Sequence, residues 1–243
     1  VSHTHRVCRV HFSHDGARAL DHSVTVFVDS DAIIKLASWG LLDECVTVCS
    51  ELKSGHVVLP TAKYQLGFAG KRPRAWPTPT AEAAARQFVT SANDPTSVPS
   101  CEFDFLSEIP DVDAGEALLV AQAASTPNAL LLTGDKRCLR ALAASESAQG
   151  ILHALQGRVI CLEQALILLA RRWGFENVRE RVVESEAITL DRSVESAFGS
   201  GSSALEYNAC GSLERRTQAL DRDTKGLLVQ LGYRFDDSGA ITE

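Results

Sequence analysis

A chain of 243 residues with 45% hydrophobic and 23% charged side chains can build one substantial core with length left for an extension, which excludes wholesale disorder and fibrous repeats. A net charge of -7 argues against a surface coated in phosphate-binding residues, yet leaves room for a local basic strip on an enzyme that touches nucleic acid briefly. No apolar run approaches the roughly 18 residues needed to cross a bilayer, and Val1 to Leu20 has His and Arg where a signal peptide has an apolar segment, so a cytoplasmic protein without membrane contact is expected.

The seven cysteines (Cys8, Cys45, Cys49, Cys101, Cys138, Cys161 and Cys210) are odd in number and show no CxxC spacing. That pattern argues against structural zinc and a disulfide framework, and for small buried hydrophobes in a reducing compartment.

In chain order, residues 1–22 carry His3, His5, His11 and His14 with little apolar periodicity, the pattern of a loose N-terminal arm. Val24 to Val28 is a β-branched run of the kind buried on both faces of a parallel sheet, and it ends in Asp29-Ser30-Asp31. Helical spacing follows over Ala32 to Ala37, then toward a second helix around Asp43 to Lys53. His56 to Pro60 forms the second expected strand, with a helix from about Thr61 to Gly67. Gly70 to Pro110 holds Pro73, Pro77, Pro79, Pro95, Pro99 and Pro110 and is expected to be loop with one short helix near Ala81 to Val89.

Asp113-Ala114-Gly115-Glu116 opens a helix that runs to Ala124, with Asp113 and Glu116 at capping-box spacing. Leu130 to Thr133 is the third expected strand, Asp135 follows it, and Lys136 to Ala144 is helical. Arg158 to Leu162 makes the last strand and Glu163 to Trp173 the helix after it. Strands alternating with helices predict a three-layer α/β/α domain with a central parallel sheet over residues 23–175. Residues 176–243 read as a helical C-terminal extension, interrupted at Gly199 to Ser203, with an amphipathic stretch from Leu205 to Leu231 that presents Leu213, Leu220, Leu227, Leu228 and Leu231.

In an open parallel sheet, ligands gather beyond the carboxyl ends of the strands. Asp29 and Asp135 fall there, and Glu116 lies in the first turn of a helix, so three acids from distant parts of the chain are candidates for one site. Such a cluster repels itself without a cation. Mg²⁺, or Mn²⁺, suits carboxylate oxygens and retains water, one molecule of which can serve as nucleophile against a phosphodiester. Asp31 and Asp113 are further candidates, as caps or supporting groups. The alternative for each acid is a plain helix cap, and for Glu116 the capping-box glutamate alone.

Val26 to Ile34, Asp113 to Ala121 and Leu131 to Asp135 together resemble the PIN-domain nuclease superfamily, which includes VapC-like toxins and RNA-processing nucleases. The resemblance covers about residues 24 to 170 and implies a PIN-like fold and a metal-dependent endoribonuclease. Asp29, Glu116 and Asp135 would then be the metal-site acids, with Ser30 and Thr133 orienting the site. It also implies an RNA substrate and admits an antitoxin or other protein partner, or a homodimer. One departure stands out: where the family usually places a further Glu, this chain has Gln65.

Two other functions compete. Asp29-Ser30-Asp31 after a strand also resembles the haloacid dehalogenase phosphohydrolases, with Thr61 as the phosphate-binding hydroxyl, although Lys136-Arg137-Cys138-Leu139-Arg140 stands where a second acid belongs. The other is a non-catalytic PIN-like scaffold for RNA or protein, which Gln65 favours. Lys71, Arg72, Arg74 and Trp76 form a basic, aromatic-bearing stretch suited to a phosphate backbone and a stacked base.

Overall fold

The computed structural model describes residues 24–49, 55–70, 73–93, 95, 100–185, 187–231, 234–235 and 241–242. The N-terminal arm expected over residues 1–22 lies outside them, as do Lys71 and Arg72.

Four parallel strands form the central sheet: β1 (Val26–Val28), β2 (His56–Val57), β3 (Leu130–Thr133) and β4 (Val159–Cys161), in the order β2-β1-β3-β4. The register sets Val28 beside Leu132 and Thr133 beside Cys161. Side chains alternate between faces along a strand, so Val26 and Val28 enter one core while Phe27 enters the other, and Leu130 and Leu132 separate likewise from Leu131. Both faces are buried, as apolar strands without polar alternation require.

One face is covered by α1 (Ser30–Ser38), α2 (Leu42–Cys49) and, beyond the short α3 (Ala62–Gln65), by α4 (Pro79–Ser91). The other face carries α5 (Ser100–Leu106), α6 (Ala114–Ser125), α7 (Lys136–Ala144) and α8 (Gln149–Leu155). Helix α9 (Leu162–Trp173) returns to the first face. This is the expected α/β/α sandwich around a parallel sheet.

Two details of the proline-rich segment differ from expectation. Helix α4 is longer than the 81–89 stretch because Pro79 occupies its first turn, where a missing N–H costs nothing, and Thr78 caps it by accepting from the Ala81 amide at 3.1 Å. Helix α5 occupies a stretch expected to be loop. The second strand is also shorter than expected, pairing at His56 and Val57 while Val58 and Leu59 are buried without ladder partners.

After Gly174, whose φ of 90° ends α9, the chain continues through α10 (Phe175–Glu184), a 3-10 turn at Ile188–Leu190, α11 (Arg192–Ala197), a second at Gly201–Ser203, and α12 (Glu206–Asp223). Val178, Val182, Val194, Phe198, Ala209 and Leu213 join the same core as β1 and α9. The stretch expected to be helical as far as Leu231 is corrected at its end: α12 stops at Asp223, and Lys225 and Gly226 take positive φ of 56° and 83°. The chain then runs beside β4, with Val159 N donating to Leu227 O at 3.1 Å and Val229 N to Val159 O at 2.9 Å. Pairing with an open sheet edge satisfies backbone groups that a further helical turn would leave beside β4. A small antiparallel pair, β5 (Arg234–Phe235) with β6 (Ile241–Thr242), follows. Among the described residues no helix is long and apolar enough to cross a membrane.

Candidate functional site

Connections run from β1 outward to β2 on one side and to β3 and β4 on the other, so the strand order reverses between β1 and β3. The crevice beyond such a reversal is where open parallel sheets bind ligands, because the loops leaving the two strands diverge there. Asp29 leaves β1 at this point and Asp135 follows β3. A cavity of about 250 Å³ opens there, and its lining includes Asp29, Asp31, Asp113, Glu116 and Asp135, together with Ser30, Gln65, Arg74 and Arg137. The fold thus brings together the three acids singled out by sequence, both further candidate acids and Gln65.

Each acid is held by a different local device. Asp29 sits at the N-cap position of α1, and its Oδ2 accepts from Thr133 Oγ1 at 3.1 Å. The same Thr133 oxygen accepts from Asp135 N at 3.0 Å, so one hydroxyl ties the two strand ends together. Asp135 caps α7, accepting from the amides of Arg137 at 2.8 Å and Cys138 at 3.0 Å, where the helix dipole favours negative charge. Asp113 and Glu116 close the capping box that their spacing predicts: Glu116 N donates to Asp113 Oδ1 and Asp113 N donates to Glu116 Oε2, both at 2.8 Å.

Concentrating acids in a half-enclosed crevice raises the cost of ionising them. Burial first, then the charge of Asp31, pushes Asp29 up to about 6, against the pull of the hydrogen bonds from the Asp31 amide and Thr133. Burial and the hydrogen bond with Asp135 push Glu116 up to about 8. Asp135 moves the other way: burial opposes ionisation, but the hydrogen bonds from Glu116 and from the Cys138 and Arg137 amides hold it below the usual range. The opposed shifts favour one proton shared by the pair, with Glu116 the harder to ionise. The Cys138 thiol is pushed up by burial and then by the charges of Glu116, Asp135, Asp29 and Asp113.

Oxygen-only donors of this kind fit a hard divalent cation in chemistry. They do not form a closed shell: among the described residues, no group of three His, Cys, Asp or Glu side chains stands ready to hold an ion. Glu116 and Asp135 are paired with each other, and each is also held at a helix start.

Ser30 does not bond a carboxylate. Its Oγ donates to Gln65 Oε1 at 2.6 Å, and a Cβ on Gly115 would meet Gln65 Nε2 at 3.0 Å. Gln65 therefore spans from α1 to the start of α6. Arg74 lines the cavity from the loop after α3, and its guanidinium lies 6.0 Å from the Trp76 ring centroid. Trp76 itself is half-buried, stacked on Phe68 at 5.8 Å and donating to Leu66 O at 3.3 Å, so it braces the loop that carries Arg74.

Arg137 was not singled out by sequence as a site residue. Its guanidinium lies over Asp135 at 3.4 Å, exposed at the cavity mouth, and its pKa is raised first by that carboxylate. The signal available was its position two residues after a strand-end acid. Thr61, by contrast, heads α3 and is not among the cavity-lining residues.

Comparison with known proteins finds no matching family model, no matching curated protein and no matching solved structure.

Proposed function

We propose that the chain is a metal-dependent nuclease of PIN-like type, hydrolysing phosphodiester bonds in RNA at the pocket between β1 and β3. The observation that carries this reading is the convergence of Asp29, Glu116 and Asp135 on one cavity at the point where strand order reverses. Asp29, Glu116 and Asp135 would hold Mg²⁺ or Mn²⁺, with Asp31 or Asp113 as supporting acids. Bound there, the ion would polarise the phosphodiester and acidify a water.

The chain's own residues have separable roles in this reading. Thr133 fixes the relative position of Asp29 and Asp135. Arg74 and Arg137 supply cationic groups at the cavity for the phosphates flanking the cut bond. A cation held there would favour the ionised form of Glu116. A reducing, cytoplasmic setting belongs to the proposal and accords with the free thiols of Cys45, Cys49, Cys138, Cys161 and Cys210. So does a protein partner, whether an antitoxin or a second copy of the chain.

One observation favours a non-catalytic, RNA- or protein-binding scaffold instead: Glu116 closes its own capping box while Gln65 stands in for a charged group. A phosphohydrolase is less well supported, because Asp31, its required acid, is bound by Lys35 at 2.6 Å and Thr61 lies off the cavity. Incubating the purified chain with Mg²⁺ or Mn²⁺ and either a mixed-sequence RNA or a chromogenic phosphate monoester separates the three. Nuclease function predicts metal-dependent RNA cleavage without monoester turnover. Monoester turnover marks the phosphohydrolase, and inertness toward both marks the scaffold.

A further inference from the structure

Adjoining the pocket through Asp31 is a second cluster of charges, whose other members, Lys35, Lys136, Glu163 and Asp191, lie outside the set that sequence singled out. Lys35, on α1, donates to Asp31 Oδ2 at 2.6 Å and to Asp191 Oδ2 at 2.9 Å. Lys136, the first residue of α7, donates to Glu163 Oε1 at 2.5 Å and Ser193 Oγ at 3.0 Å, and lies 3.8 Å from Asp191 Oδ2. Asp191 is 5% exposed and Glu163 1%. Asp191 Oδ1 meanwhile caps α11, accepting from Ser193 N at 2.9 Å and Val194 N at 3.2 Å. Gly134 closes the group from the β3 side, since any Cβ there would collide with Asp31 Oδ2.

Lys35 and Lys136 sit on the two helices that begin immediately after Asp29 and Asp135. Both ammonium groups reach Asp191, at 2.9 Å from Lys35 and 3.8 Å from Lys136, although it lies 156 residues from Lys35 in sequence. A buried cation left without a partner turns to the nearest remaining anions. For Lys35 the anion that remains is Asp31, already bound at 2.6 Å and part of the pocket lining.

We propose that Asp191 is a positioning residue for the carboxylate pocket: through Lys35 and Lys136 it fixes the starts of α1 and α7, and its charge, beside those of Asp31 and Glu163, offsets two ammonium groups that oppose a cation there. The C-terminal segment is then part of the site. The effect on cation binding rests on the nuclease reading, whereas the effect on helix position does not.

Asp191→Asn removes the charge and keeps an N-cap side chain for α11. At about 10 Å and an effective dielectric near 40, between that of a surface pair and that of bulk water, one uncompensated charge weakens divalent-cation binding roughly tenfold. In the full-length chain, Asp191→Asn is expected to bind Mn²⁺ about tenfold more weakly by calorimetry and to speed amide hydrogen exchange within α1 and α7. The double variant Asp191→Asn with Lys35→Met, which restores the charge balance, recovers Mn²⁺ affinity to within about threefold of the parent. Asp223→Asn cuts a separate, exposed tie of α7 to α12, the 2.9 Å pair with Arg140, and behaves as the parent.

Parent-like Mn²⁺ affinity and exchange in Asp191→Asn overturn the proposal, as does an affinity loss that the double variant fails to restore. If the parent takes up no Mn²⁺, the cation reading of the pocket falls, and exchange alone decides: unchanged rates in α1 and α7 overturn the positioning role. Should Asp191→Asn not fold, the double variant is read in its place, with parent-like exchange in α7 as the overturning result.

Discussion

Thr133 donates its hydroxyl hydrogen to Asp29 at 3.1 Å across the boundary between β1 and β3, and the same oxygen accepts from the Asp135 amide at 3.0 Å. The two strand-end acids therefore share a single clamp. Thr133→Val keeps the shape and removes both bonds. We expect a stability loss of about 1–2 kcal/mol, together with a fall in any metal-dependent cleavage, since a small displacement of reacting groups is costly. Chemical denaturation and cleavage rates measured on the same preparation check this, and an unchanged rate would separate Thr133 from the chemistry.

Asp29 is expected to cost stability at neutral pH. Its folded pKa of about 6 lies above the unfolded value near 3.8, so the folded state holds the proton more tightly. Stability from this group is fully present below pH 3.8 and is lost as pH rises through 6. Asp29→Asn removes the penalty and should stabilise the fold by about 1–3 kcal/mol at pH 7.5, with no gain at pH 3.5. Melting curves at both pH values decide it. Equal melting temperatures at pH 7.5 would mean that the Asp29 charge is already compensated.

Glu116 can be divided into cap and site acid by one substitution. Glu116→Gln retains a side chain able to complete the capping box, so α6 should remain intact. The parent carboxyl holds a proton up to about pH 8, so cation uptake at pH 7 should release close to one proton, and the variant should release less. Calorimetry in buffers of differing ionisation enthalpy measures that release. Cation uptake with no proton release would leave Glu116 as a cap alone.

Gln65 tests how the charge of the pocket sets cation affinity. It lines the cavity and accepts from Ser30 at 2.6 Å, so Gln65→Glu places a further carboxylate among the acids without moving the backbone. Mg²⁺ or Mn²⁺ should bind more tightly, by about tenfold, because an added charge in a poorly screened site strengthens attraction to the ion. Calorimetric titration of parent and variant compares them directly. Unchanged affinity would place Gln65 outside the cation's surroundings.

The parts of this molecule legible in sequence are those with local signals. Val24 to Val28 and Leu130 to Thr133 could be read as buried strands because continuous apolar runs have few other uses, and Asp113 and Glu116 announced their capping box by spacing alone. The position of Asp29 and Asp135 at strand ends followed from those strands. The Lys35, Asp191, Lys136 and Glu163 cluster was not legible, because its members come from α1, α7, α9 and the start of α11 and meet only in the folded chain. Leu227 and Leu228 misled for a related reason: apolar residues after an amphipathic helix look like its next turn, whereas the open edge of β4 takes them as an extended segment.

If the acids between β1 and β3 make a metal-dependent nuclease, RNA cleavage must need both the ion and Asp29. The most direct measurement is cleavage of an end-labelled RNA by the purified parent and by Asp29→Asn, each with Mg²⁺ and with a chelator. The parent is expected to cleave with Mg²⁺ and not with the chelator, and the folded variant to lose at least about a hundredfold. Equal cleavage by parent and variant, or cleavage that persists in the chelator, would contradict the nuclease reading.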